Sequence, residues 1–144
     1  MPAITPLQHD IQGLTGRNVG IIQSRNVSYS SWTTLVEVNI NPAEECDLLI
    51  IGHISVRQSG QVAREARVTV RVMLDNTQIG EGGGTFGNNA LSRPAYQSSG
   101  ILASARDVSP GQHTIRVQGI AWSTTGAPTV RADVLSIGIV EFYR

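Results

Sequence analysis

The sequence predicts an all-β protein: an antiparallel β-sandwich, jelly-roll-like, of about seven or eight strands with an extended N-terminal arm. Three observations carry this. Apolar side chains recur with a period of two along most of residues 19–144. Turn-forming residues interrupt that pattern at intervals of roughly 10 to 15 residues. No window of the same stretch combines helical spacing with caps. At 144 residues, 40% of them apolar, the chain is of a size for one core and one domain.

Residues 1–18 read as the arm and 19–144 as the sandwich domain. The arm holds Pro2, Pro6, Gly13 and Gly16, yet also Ile4, Leu7, Ile11 and Leu14. Their four-three-four spacing leaves a short helix open, against which the prolines and glycines count. An arm this apolar is expected to pack on its own body or on a neighbour.

In the body, Ala66, Val68, Val70, Val72 and Leu74 share one face, with Arg67, Thr69, Arg71 and Asp75 on the other. That is a half-buried antiparallel strand. Thr34, Val36, Val38 and Ile40 alternate with Thr33, Glu37 and Asn39, Leu35 being the exception. His113, Ile115, Val117 and Gly119 alternate with Thr114, Arg116 and Gln118. The unbroken run Leu48-Leu49-Ile50-Ile51 predicts a strand covered on both faces, which then alternates through Ile54 and Val56. Stretches 101–105, 130–137 and 139–142 complete the set, and Gly138 predicts a bulge or bend between the last two. Asn41-Pro42, Asp75-Asn76, residues 80–89, Ser109-Pro110-Gly111 and Thr125-Gly126-Ala127-Pro128 are the breaks. Gly111 falls where a turn with Pro at its second position needs a positive φ.

The motifs that could carry chemistry are weak. Residues 82–87 match G-x-G-x-x-G after a strand, but Pro94 stops any helix that would point its N-terminus at a pyrophosphate, so residues 80–89 read as a flexible surface loop. His9, His53 and His113 are scattered and Cys46 is the single cysteine, so no zinc-ligand spacing exists. Glu44, Glu45 and Asp47 lack the glycine-centred pattern of a calcium loop and should raise the Cys46 thiol pKa, blunting it as a nucleophile. Ser, His and Asp are present, but no G-x-S-x-G elbow marks an activated serine. The sequence thus nominates no catalytic residue, no metal ligand and no cofactor. Trp32 and Trp122, each beside Ser/Thr-rich sequence near a strand end, read as core anchors rather than stacking surfaces.

Charge is informative. Eleven basic residues, all Arg, balance eleven acidic ones, which argues against nucleic-acid binding driven by bulk charge. Charged residues are 15%, against about 25% in an average domain. No apolar stretch reaches the roughly 18 residues of a membrane span, and residues 1–6 carry neither part of a signal peptide. If residues 47–57 and 66–75 pair as a hairpin, Arg57, Arg67 and Arg71 come together on its polar face. That ribbon is either solvated, with Glu37, Glu65 or Glu141 nearby, or it meets an acidic partner or subunit surface.

The runs 66–75, 107–118 and 137–144, with their S-P-G-x-H-T hairpin and closing apolar strand, resemble the small β-sandwich domains of phage virion proteins and of the C1q/TNF-like group. The resemblance covers residues 35–144. It implies a homotrimeric structural module without enzyme activity, and the arm makes the whole chain look most like a capsid decoration (cement) protein. A tail-fibre or receptor-binding tip is the next reading, and a carbohydrate-binding lectin-like module the alternative from another class. The partners implied are further copies of the chain and a major capsid or other virion protein, in a virion made in the host cytoplasm, with no nucleic acid and no membrane. Ile4, Leu7, Ile11, Leu14, Arg57, Arg67 and Arg71 are the candidate partner contacts.

Overall fold

The computed structural model describes residues 13–20, 25–59, 65–87, 95–123 and 129–143. Nine strands follow in chain order: β1 (Gly13–Gly20), β2 (Arg25–Val27), β3 (Thr33–Ile40), β4 (Cys46–Ser59), β5 (Glu65–Leu74), β6 (Thr77–Gly87), β7 (Ala95–Val108), β8 (His113–Ser123) and β9 (Thr129–Tyr143). They form one antiparallel sheet in the order β1-β9-β4-β7-β6-β5-β8-β3, with β2 also on β9. The sheet curls into a nearly closed, sandwich-like barrel. Inward side chains can then reach a shared core while most of the strand backbone is paired in ladders.

The core follows the predicted alternation. Val68, Val70 and Val72 of β5 are buried, as are Ile115 and Val117 of β8, and Leu135, Ile137 and Ile139 of β9. Leu35 is explained by a register shift between Thr34 and Val36, which turns both Leu35 and Val36 inward. Gly111 takes φ 108 in the turn after Pro110, as its position requires.

Four expectations are corrected. The run 48–51 is not covered twice: Leu48 and Ile50 are buried, but Ile51 is 55% exposed on the outer face. Stretches 130–137 and 139–142 are one strand, β9. Its irregularity lies not at Gly138 but at Asp133, skipped where Ser55 pairs with Val134 and Val56 with Ala132. The glycines of 80–87 are not loop but strand β6, paired along its length with β5. Finally, β4 and β5 do not form a hairpin, because β7 and β6 lie between them. The last two corrections share a cause: ladder partners are chosen by tertiary closure, which local turn chemistry does not encode.

Of the expected arm, Gly13 to Asn18 pair with Tyr143 to Gly138 as part of β1. The boundary at residue 18 therefore falls inside a strand. Ile4, Leu7 and Ile11 lie outside the described residues.

Closure is achieved at one end by the segment from β2 to Ser30. Val27 pairs with Val130 on β9, and two residues later Tyr29 bridges Ala121 on β8. Ser30 N–H donates to the Ala121 carbonyl at 3.1 Å, and Ala121 N–H to that of Ser28 at 2.9 Å. Val27 and Leu35 fill the space above Gly119, where a Cβ would meet the Leu35 side chain at 3.1 Å. A thin seam is β6 against β7, where only Gly80 to Gly82 pair with Ala103 to Ile101. Gly80 is needed for the close approach: a Cβ there would overlap the Leu102 carbonyl oxygen and the Ala103 methyl.

Gly80→Ala should therefore part this seam and destabilise the fold by about 1–3 kcal/mol, the usual cost of overpacking. Thermal or denaturant unfolding measures it, and a change within about 0.5 kcal/mol would show that β6 and β7 separate freely.

Candidate functional site

Three places on the barrel gather chemistry-bearing side chains. The first is at the β5–β6 turn. Asp75, at φ 53, donates its N–H to the Thr114 carbonyl at 2.8 Å. Its carboxylate accepts from Thr114 N–H at 2.9 Å and from His113 Nδ1 at 2.8 Å. His113 Nε2 lies 2.8 Å from the Ser109 carbonyl and 3.3 Å from the Ser109 hydroxyl. The tertiary fold thus assembles Ser, His and Asp from two separate turns, a grouping with no signature in the linear sequence. A carbonyl only accepts, so Nε2 carries a proton, and Nδ1–H donates to the carboxylate. The Asp75 hydrogen bond first, and the Ser109 carbonyl second, raise the His113 pKa above the usual range. The same His113 bond, then the Thr114 N–H, hold Asp75 below the ordinary carboxylate range. An imidazolium with both protons committed has no lone pair to take the proton of a serine. In this geometry the array is a clamp joining the β5–β6 and β7–β8 turns.

The second place is the outer face of β3, β8 and β5. Arg71 Nε donates to Gln118 Oε1 at 2.8 Å, and Gln118 Nε2 donates to Thr34 Oγ1 at 3.1 Å. The guanidinium carbon of Arg71 sits 4.1 Å from the centroid of the Trp32 ring, a cation–π contact. Neither tryptophan is a core anchor: Trp32 is 36% and Trp122 39% exposed. Their sequence surroundings carried this signal, since serine- and threonine-rich flanks belong to a wet face as well as to a strand end. One step further out, Arg116 Nε donates to Glu37 Oε2 at 2.8 Å.

The third place is the outer face of β7, β4 and β9. Ile51 pairs in register with Leu102, which is 62% exposed, and on its other side with Gly138. Val134 of β9, opposite Ser55, is 50% exposed. Of the positions around this pair, Gly100, Ser104, Ser136 and Gly138 are small, while exposed His53 lies beside Ile51 along β4 and exposed Glu81 of β6 pairs with Leu102. The result is a small apolar patch at Ile51 and Leu102, bordered by Glu81 on β6 and separated from Val134 by the His53–Ser136 row.

Two further groups, on β9 and at the start of β4, are shifted by their surroundings. Tyr143 donates its hydroxyl to the buried Glu141 carboxylate at 2.5 Å, and that bond, with burial, pushes the phenol up to about 12. The Cys46 thiol is also pushed up. Burial is the main cause, followed by the charges of Glu141, Asp47 and Glu45. Among the described residues, no three His, Cys, Asp or Glu side chains converge as a metal site would need.

The expected Arg ribbon is divided. Arg57 on β4 pairs with Asp133 at 3.3 Å, while Arg71 lies on β5 against Trp32 and Gln118. Arg67 sits on β5 in register with Trp122 and Thr85. Leu14 lies on β1 opposite Phe142.

No family model and no curated protein matches the chain. Among solved structures it is similar to a chain of infectious bursal disease virus, Gx strain, at 12% identity and a TM-score of 0.52, over 93% of this chain and 38% of that one. The VP2 subviral particle of the same virus is matched at 10% identity and a TM-score of 0.51, over 93% and 37%. The C-terminal domain of EclA, a sugar-binding protein, is matched at 12% identity over 94% and 88%, with a TM-score of 0.38. The chain spans less than two fifths of the length of the viral chains it matches. At these identities what is shared with the viral capsid proteins is an all-β, barrel-like fold.

The clamp makes stability depend on pH with a defined sign. Because His113 is raised on folding, its contribution is complete below the unfolded value of about 6.5 and is lost as pH rises through the folded value. Because Asp75 is lowered, its contribution is complete above about 3.9 and is lost as pH falls through the folded value. The melting-temperature gap between the protein and His113→Gln should therefore be widest near about pH 5 to 6 and narrow as pH rises through the folded His113 value. A gap that widens towards alkaline pH would contradict the imidazolium assignment.

Proposed function

We propose that this chain is a non-enzymatic structural subunit of a virion, and that its outer β7–β4–β9 face is covered by a neighbouring subunit. The observation that carries this is the Ile51–Leu102 pair. The run 48–51 of β4 is that of a strand segment buried on both faces, yet a single chain leaves Ile51 exposed. An exposed apolar pair rimmed by small and polar residues, on a chain of zero formal charge, is what a subunit can present to its partner. The fold shared with proteins solved in viral particles supports the same reading. Within it, the resemblance to phage virion and C1q/TNF-like domains favours a capsid decoration protein acting as a homotrimer against a major capsid protein. The Ser109–His113–Asp75 array, with its imidazole committed to two acceptors, fits a role without catalysis.

The experiment is the mass in solution across micromolar concentrations, for the protein and for Ile51→Ser combined with Leu102→Ser. Covering the exposed part of each side chain is worth about 1–2 kcal/mol. Self-association should therefore weaken by about thirty- to a thousandfold in the double variant, with the melting temperature nearly unchanged. A monomeric parent protein, or a double variant that assembles as the parent does, would overturn the proposal.

A further inference from the structure

We infer that the outer face of β3, β8 and β5 is a saccharide-binding site, with Trp32 and Trp122 as its stacking platforms. This goes beyond the assembly role and uses a different face of the barrel. Three observations support it. The first is placement. Trp32 lies one residue before the Thr33–Gly119 pair, level with Ile120, and Trp122 follows two residues further along β8. With about 3.4 Å per residue and about 4.8 Å between strands, the two tryptophans lie roughly 8 Å apart, with Ile120 between them. That is the span of about two pyranose rings.

The second observation is exposure. Each tryptophan leaves more than a third of its surface to water, on a chain that holds only these two. An indole offers a flat apolar surface to the C–H face of a sugar; the Arg71 guanidinium occupies one face of the Trp32 ring, so a sugar there stacks on the other. The third is the polar frame. Thr34, Gln118 and Arg71 form a chain of hydrogen bonds beside the indoles, so the Arg71 guanidinium and the Gln118 amide are held before any ligand arrives. Held groups lose less freedom on binding. Aromatic surface with a few convergent donors and acceptors is the usual composition of a small-ligand site. These groups already bond one another, and a hydroxyl-rich ring can join that network through their remaining protons and lone pairs. The pyranose ring is the shared chemistry, and neutral and acidic sugars are its two sources.

The two indole N–H groups give two resolvable signals in a ¹H–¹⁵N spectrum, assignable with Trp32→Phe and Trp122→Phe. The probes are lactose and di-N-acetylchitobiose as neutral sugars, sialyllactose as the acidic one, and a proline-rich peptide as the competing class. At least one sugar should shift both signals saturably at millimolar concentration. Trp122→Ala and Arg71→Gln should each weaken that binding by about tenfold or more, while the spectrum of the remaining residues stays dispersed. If sialyllactose alone binds, and Arg71→Gln abolishes it, the site is specific for the acidic sugar. The inference fails if no sugar moves either signal, if the peptide does so and the sugars do not, or if the variants bind as the parent does. The mass in solution of Trp122→Ala, equal to that of the parent, separates this site from the subunit face.

Discussion

Everything in this fold hangs on β4 being paired along both edges at once. From Cys46 to Ser59 it runs antiparallel to β9 on one side and from Cys46 to Gln58 to β7 on the other. A strand held on both edges cannot slip, because a one-residue shift would turn Leu48, Ile50, Ile54 and Val56 out of the core together. Its register in turn places β9, whose other edge receives β1 and β2. Where the two long strands do not match in length, one extra residue at Asp133 absorbs the difference. That residue brings its carboxylate to Arg57.

Closing the rest of the sheet is harder, and three devices share the task. The segment 25–30 hands the chain from β9 to β8, where β3 no longer reaches. Gly80 lets β6 come up against β7 over a short seam. Asp75 and His113 tie two turns at one end of the barrel to each other, holding Asp75 at a positive φ that the backbone alone disfavours. Each protects backbone groups that an open edge would offer to another chain. What stays open is the approach of β1 to β3, the two ends of the strand order.

The two proposed roles occupy different sectors of one outer surface. A single row of the sheet joins them, from Gln118 through Arg71, Glu81, Leu102 and Ile51 to Gly138. Its polar end borders the tryptophans and its apolar end is the patch proposed to meet a neighbour. A low-charge surface suits both uses, since neither an apolar contact nor a sugar needs a strong field.

Residue by residue, much of the fold was legible. Alternation in 66–74 and 113–119 identified β5 and β8 and their inner faces, because a period of two has one structural meaning in a chain without caps. Asp75-Asn76 and Ser109-Pro110-Gly111 announced their turns for reasons of local backbone preference. The sequence also contained the clue of the second face, in the unbroken run 48–51, although alternation cannot say whether the cover comes from the same chain. Tertiary structure alone decided which strands became neighbours. Pairing depends on loops closing over long sequence separations, and so β5 met β8 and β6 rather than β4. That choice separated Arg57 from Arg71, drew the glycines of 80–87 into a strand, and set Ser109, His113 and Asp75 within hydrogen-bonding distance. It also turned Trp32 and Trp122 outward onto one face, because which side of a curled sheet is wet is settled only when the barrel closes.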